Sequence, residues 1–299
     1  MKNKIRFTEA NSEILQKSAS FFSQIEEYGQ ANIIANYEHL TWKHLENPHG
    51  KSLVSTIEIN NKIKAIMFFQ KNNYFFSGNK VKYLLATDMA FKKDVRKLSN
   101  VLNYWEECIN YIKKEYPEFI IIHSSNNISE PIYNRFFKDF KVATIKAKIF
   151  FPRTKVTDSI GLEEKVIEYK LDTWRWSPRS QVKYKTVRNN LTSETELIYR
   201  MQKKFGIRVM VIVEIDPKFL NKRASKIFFQ LLILCLKEAC IAPIFYFYTQ
   251  KSGSIKHLNN FIEVPKLISI YDFPIYVHND SKNIINRKDI LQLSMLDVM

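Results

Sequence analysis

Residues 80–123 read KVKYLLATDMAFKKDVRKLSNVLNYWEECINYIKKEYPEFIIIH, and the fold turns on how this stretch changes period. Lys80 to Thr87 has the length and apolar content of a strand, ending at Asp88. From Val95 to Tyr116, the residues Val101, Tyr104, Trp105, Cys108, Ile112 and Tyr116 recur at spacings of three and four, which is one face of an amphipathic helix. Pro117 stops it. Phe119 to His123 (FIIIH) is then a short β-branched run, the pattern of a strand buried on both faces. Strand, long helix and buried strand together predict a parallel pair joined by the helix.

Working outward, Leu53 to Ile59 alternates apolar and polar residues, Asn60-Asn61 is a turn signal, and Lys62 to Gln70 reads as a second strand. These predict an antiparallel hairpin. Downstream, Ser124 to Asn127 breaks the pattern, Glu130 to Phe137 reads as a short helix and Val142 to Phe151 as a strand. The class is α/β, a mixed sheet with helices packed on it. After Pro152, residues 153–173 form a polar connecting segment. Beyond Trp174-Arg175-Trp176, Gln181 to Val187 reads as a strand, and Ile207 to Ile215 (IRVMVIVEI), a helix over 222–239 and Ile244 to Tyr248 repeat the order strand, helix, proline, buried strand. That repeat fits a duplication, although any βαβ protein shares the order. The expected division is 1–152, a connection over 153–173, and a second, degenerate half over 174–299.

The chain has 299 residues, 45% hydrophobic and 25% charged, which is the balance of a globular protein and excludes general disorder. Lys and Arg total 46 against 30 Asp and Glu, a net +16 that favours anionic partners. The basic residues are scattered through an Asn- and Ile-rich chain, a pattern that an AT-rich genome also imposes, so the charge alone does not choose a partner. Cys108, Cys235 and Cys240 are too few and too apolar in setting for disulfides or a zinc cluster; no metal is expected, and a reducing cytoplasm fits. The start of the sequence has no signal-peptide core, and the apolar run 227–244 is broken by Lys237 and Glu238, so a cytoplasmic protein without a membrane span is expected. His39, His44 and His49, at intervals of five around Trp42, read as an exposed helix end and turn rather than metal ligands.

Two motifs carry a resemblance. Arg96-x-x-Ser99-x-Val101 opens the long helix, and Asn126-x-x-Ser129-x-x-x-Tyr133-x-Arg135 follows the buried strand. In this order they resemble the GNAT superfamily of acyl-CoA-dependent acyltransferases. The segment Tyr37 to Gly50, with Trp42-Lys43 and Asn47-Pro48-x-Gly50, is similar to the start of GNAT-type proteins encoded with surface-polysaccharide genes. The resemblance covers roughly residues 1–152, with a fainter echo over 174–278. It implies acetyl-CoA or another acyl-CoA as co-substrate, held by Met89, Arg96, Lys97, Ser99, Asn100 and Asn126, with Tyr133 as general acid and Asp88, or a water held by it, as base. Trp42, Trp174, Arg175 and Trp176 are candidates for the acceptor, although Trp174 and Trp176 could equally lock the halves together. The sequence departs from the pattern in having no glycine between Gly78 and Gly161: Ser99 stands where the family has one, and Phe136-Phe137 replaces Gly-Phe.

The physical logic is independent of the resemblance. Exposed amides and the dipole at a helix start bind a pyrophosphate. Two parallel strands that part expose backbone groups to the amides of an extended ligand. Attack on a thioester then needs a base and an acid. The leading reading is transfer of an acyl group to a small acceptor, such as a nucleotide-linked amino sugar. A non-catalytic binding module on the same fold is the alternative, with aminoacyl transfer to a cell-wall precursor and nucleic-acid binding ranked lower. All of this requires a V-shaped gap between strands 80–88 and 119–123. Pairing along their full length, or side chains plugging the notch, would defeat it.

Overall fold

The structure, a computed structural model, describes residues 5–25, 33–76, 79–125, 129–150, 184–188, 195–204, 207–215, 224–238, 240, 243–248, 261–263, 272–278 and 291–292. The hairpin expected from the sequence is present: β2 (Leu53–Ile59) and β3 (Lys62–Phe76) run antiparallel from Ile59↔Lys62 to Leu53↔Phe69. Asn60 and Asn61 turn the chain at φ 51° and 57°, the left-handed region that asparagine tolerates and a tight hairpin needs. β3 continues past Gln70 to Phe76, paired with β4 (Asn79–Phe91). β1 (Ile5–Glu9), not foreseen, adds to the outer edge of β2.

Helices cover both faces of this region. α1 (Ser12–Ser23) starts at Asn11, whose Oδ1 accepts from the Ile14 N–H at 3.0 Å. Its Ile14, Leu15, Phe21 and Phe22 pack with Val54, Ile66, Phe68 and Ala90. α2 (Tyr37–Leu40), capped by Asn36, runs into a π-helical turn, Thr41–Leu45. On the other side, α3 (Leu98–Glu115) buries Tyr104, Trp105, Cys108, Ile109 and Ile112 against Leu53, Met67, Phe69 and Leu84. Neighbours Leu53 and Val54, or Met67 and Phe68, go to opposite clusters, which is the strand's period of two. α3 begins at Leu98 rather than Val95, because Val95–Lys97 makes a tight turn with the Lys97 N–H on the Val95 carbonyl at 2.9 Å.

The remaining elements are β5 (Ile120–Ser124), α4 (Glu130–Phe136), β6 (Lys141–Phe150), β7 (Tyr184–Arg188), β8 (Thr195–Lys204), β9 (Ile207–Ile215), α5 (Ala224–Lys237), β10 (Pro243–Tyr248), β11 (Phe261–Glu263), β12 (Phe273–His278) and β13 (Leu291–Gln292). One mixed sheet joins the strands in the order β1-β2-β3-β4-β5-β12-β6-β10-β9-β8-β7, with β11 on β6 and β13 on β10.

The two stretches of chain exchange strands. β4 and β5 are parallel, as are β9 and β10, each pair joined through a helix. The far edge of β5 is covered by β12, from late in the chain, and the far edge of β10 by β6, from early in it. β6 and β12 also pair with each other. One buried cluster accordingly spans Tyr83, Leu85, Ile120 and Ile122 together with Val209, Val211, Ile244, Ile275 and Val277. Residues 153–173 lie outside the described residues. No helix among the described residues is long and apolar enough to cross a membrane.

Candidate active site at a parted strand pair

β4 and β5 pair only at Tyr83↔Ile120, Leu84↔Ile121 and Leu85↔Ile122. Past that point β4 runs on to Phe91 and β5 to Ser124, unpaired with each other. A bulge in β4 follows just beyond, past Thr87. Phe68 faces Thr87 and Ile66 faces Ala90, so β4 fits one more residue than β3 into the same span, and Asp88 sits within it at φ 50°. A bulge bends its strand and re-aims the residues beyond it. β5's opposite edge is held by β12, with His123↔Tyr276 and Ser124↔Ile275. Among the described residues no strand takes the edge of His123 and Ser124 that faces β4. The V-shaped gap is therefore present.

Its mouth lies at the start of α3. Lys97 is the cap residue, and no side chain caps the helix. A helix start leaves its first amides without intrahelical partners. Arg96, Lys97, Ser99 and Asn100 are exposed there. The Arg96 guanidinium donates back to the Phe91 carbonyl at 3.2 Å, and Asn100 Nδ2 donates to the Val95 carbonyl at 3.0 Å. Met89 follows Asp88 in the bulge and is half-buried. Asn126 lies outside the described residues.

Aromatic side chains cluster beside the vertex, on the α3 side. Trp105 Nε1 donates to the Tyr133 hydroxyl oxygen at 3.0 Å, tying α3 to α4. The His123 ring lies 4.7 Å from Trp105 and 5.0 Å from Tyr133, centroid to centroid. Its Nε2 is 2.9 Å from Nε2 of His278 on β12. His123 Nδ1 is buried without a partner. An unpartnered N–H is a costlier burial than a lone pair in this aromatic setting, which favours the tautomer with His123 Nε2–H donating to His278. Tyr133 is only 6% exposed, and burial pushes its hydroxyl well above the ordinary tyrosine range, so it keeps its proton. These rings pack on one another on the α3 side, next to Ile122, the last residue of β5 to pair with β4.

On the α1 side stands a charged cluster that sequence reasoning missed. Lys43 Nζ and His44 Nε2 lie 2.9 and 3.0 Å from Asp88 Oδ2. Both side chains are essentially buried, and Asp88's is 8% exposed. His44 Nδ1 contacts Ser52 Oγ at 2.9 Å. Burial raises the Asp88 carboxyl, yet the Lys43 ammonium and the His44 bond outweigh it and hold the group far below its ordinary range. Asp88 thus stays an anion engaged by two partners.

His39 and His44 are buried, against the reading of an exposed helix end, while His49 is half-buried and bonded to Asn73. α-helical spacing puts residues 39 and 44 on different faces, but the π-helical turn rewinds that phase and turns Trp42, Lys43 and His44 inward together. Trp42 is 5% exposed and packs near His39, leaving little surface on which an acceptor could stack. Trp174, Arg175 and Trp176 lie outside the described residues. No group of three metal-ligating side chains occurs among the described residues.

No protein-family model matches this sequence, and neither does any curated protein. Solved structures do match. One, from Enterococcus faecalis V583, is described as a conserved protein of unknown function and probable N-acyltransferase; it aligns with a TM-score of 0.56 at 13% identity, over 91% of this chain and 72% of that one. A GCN5-related N-acetyltransferase from Anabaena variabilis aligns with a TM-score of 0.51 at 8% identity, over 95% of this chain and 73% of that one. At such identities the likeness is one of fold. The chain has the mixed α/β fold of GNAT-type acyltransferases.

Proposed function

We propose that this chain moves an acyl group from an acyl-CoA to an amino or hydroxyl group of a small acceptor, with the gap between β4 and β5 as the site. The observation that carries the reading is the parting of those strands after Leu85 and Ile122, at the uncapped start of α3. Arg96, Lys97 and the amides around Ser99 and Asn100 take the pyrophosphate. The open edge of β5 and the backbone at Met89 pair with the pantetheine amides, as an added strand would. Asn126 supports the same ligand by resemblance alone.

The acceptor attacks the thioester carbonyl, the C–S bond breaks, and Tyr133, kept protonated by burial, gives its proton to the departing thiolate. Asp88 serves as an anchor that fixes Lys43 and His44, and the acceptor's proton leaves through water. The segment Tyr37–Gly50 lies against Asp88, beside the notch, and its resemblance to polysaccharide-associated proteins favours a nucleotide-linked amino sugar as acceptor. Trp174, Arg175 and Trp176 remain candidates for that ligand's base or sugar.

Calorimetric titration with acetyl-CoA tests the reading: one equivalent binds, and absence of heat at millimolar ligand ends it. In turnover, Tyr133→Phe lowers kcat by about 10²–10⁴-fold with acyl-CoA affinity unchanged. A second reading, a non-catalytic binding module, is favoured by the engagement of Asp88 and the burial of Tyr133. It requires Tyr133→Phe and Ser99→Ala to leave function intact.

A further inference from the structure

The second half contains its own parted strand pair. β9 and β10 are parallel only at Pro243↔Met210, Ile244↔Val211 and Phe245↔Ile212. β9 continues to Ile215 and β10 to Tyr248. Here too a bulge follows the last parallel pair: Tyr199 faces Ile212 while Ile198 faces Glu214, so Val213 is the extra residue. The same device, one added residue on the strand that precedes the crossover helix, lies a short way past the last parallel pair in both halves.

What fills the two gaps differs. Phe245 pairs with Ile212 on β9 and with Lys148 on β6, so those strands take opposite edges of β10. Phe247 pairs with Lys146 on β6 and with Gln292 on β13. β13 therefore lies on the edge opposite β6, which is the edge β9 has vacated. Leu291, opposite Tyr248, continues that pairing. The notch of the second half is occupied by the chain's own residues.

We propose that this second notch is a binding site for an extended peptide, and that its resident ligand is the segment around Leu291 and Gln292. Main-chain pairing to an exposed strand edge is a general mode of peptide recognition, and it satisfies the groups of β10 that the parting of β9 leaves without ladder partners. The site is closed to other ligands while the segment is in place. This inference does not depend on acyl transfer, and its test involves no acyl-CoA.

The test compares the full chain with one stopped after residue 285, which retains β12. A synthetic peptide of residues 286–299 is titrated into each by fluorescence anisotropy. The shortened chain binds it one to one, and the full chain, its site already filled, does not bind at the same concentration. A shortened chain that keeps its circular dichroism yet ignores the peptide overturns the proposal, as does equal binding by the full chain. Should the shortened chain fail to fold, the variant Leu291→Pro with Gln292→Pro in the full chain replaces it. There whichever amide of Phe247 and Tyr248 points to β13 exchanges at least tenfold faster, whereas those of Val211 and Ile212 do not change. Unchanged exchange at Phe247 and Tyr248 overturns the proposal equally.

Discussion

The two notches are built alike and furnished differently. In each, two parallel strands part after three paired residues and a bulge follows on the strand before the crossover helix. The first has an edge that no strand takes among the described residues, an uncapped helix start at its mouth and the aromatic cluster of Trp105, His123 and Tyr133 beside it. In the second, β13 lies along the vacated edge. A fold can therefore repeat the geometry that makes a cleft while only one copy has its vacated edge taken by a strand among the described residues. Backbone geometry creates the opportunity, and the occupant decides its use.

Both notches depend on the exchanged strands, and the largest expected effect comes from removing one. A chain stopped after residue 271 lacks β12, which covers β5 and pairs with β6. It should show no cooperative thermal transition, and neither should residues 1–150 alone. A sharp calorimetric transition from either piece would mean that the halves stand independently. Next in size, Asp88→Asn removes the partner of the buried Lys43 and His44 in the first notch only. Removing one partner of a buried ion pair costs about 3–5 kcal/mol, read in a urea melt, and peptide capture by the shortened chain should survive it.

Acid separates the His123–His278 pair from the Asp88 cluster. Burial, with the charge of Lys113 adding to it, pushes His278 down to about 4; burial, with His278 beside it, holds His123 well below the ordinary histidine range. Between roughly pH 6.5 and 4 the unfolded chain takes a proton at His278 that the folded chain refuses, so stability falls as pH drops, by up to about 3 kcal/mol. Asp88 works in a lower window: its contribution is complete above the ordinary aspartate value of 3.8 and is lost only as pH falls below it. His278→Gln should lessen the fall of the thermal midpoint between pH 6.5 and 4, the remainder coming from the still-buried His123, and leave the drop below pH 4. A midpoint as pH-sensitive as in the parent chain would remove His278 as the cause. The smallest effect is expected at the mouth, where Arg96 is exposed: Arg96→Ala should weaken acyl-CoA binding only a few-fold, about 1 kcal/mol or less, and less still at high salt.

Local pattern made much of the fold legible. The hairpin at Asn60-Asn61, the helix stopped by Pro117 and strand 207–215 follow from turn residues and periodicity, which act over a few neighbours. The gap between β4 and β5 followed from the order of motifs. The cluster of Lys43, His44 and Asp88 did not, because a π-helical turn breaks the spacing on which a helical reading rests. The pairing of His123 with His278 was equally hidden, since no local signal tells a strand that its neighbour lies 155 residues away. β12 carries a proline, Pro274, inside an apolar run, and so looks unlike a central strand.

That distance has a consequence for how the protein is made. Once β5 leaves the ribosome, one of its edges has no partner until β12 is synthesised, 155 residues later by the spacing of His123 and His278. At typical translation rates of about 5–20 residues per second, the wait is roughly 8–30 s. Throughout it, the run Ile121–Ile122–His123–Ser124 has an unprotected edge, open to pairing with another nascent chain. The first half can begin to assemble during synthesis but cannot finish, and yield in a cell should rise with chaperones that shield strand edges for that interval.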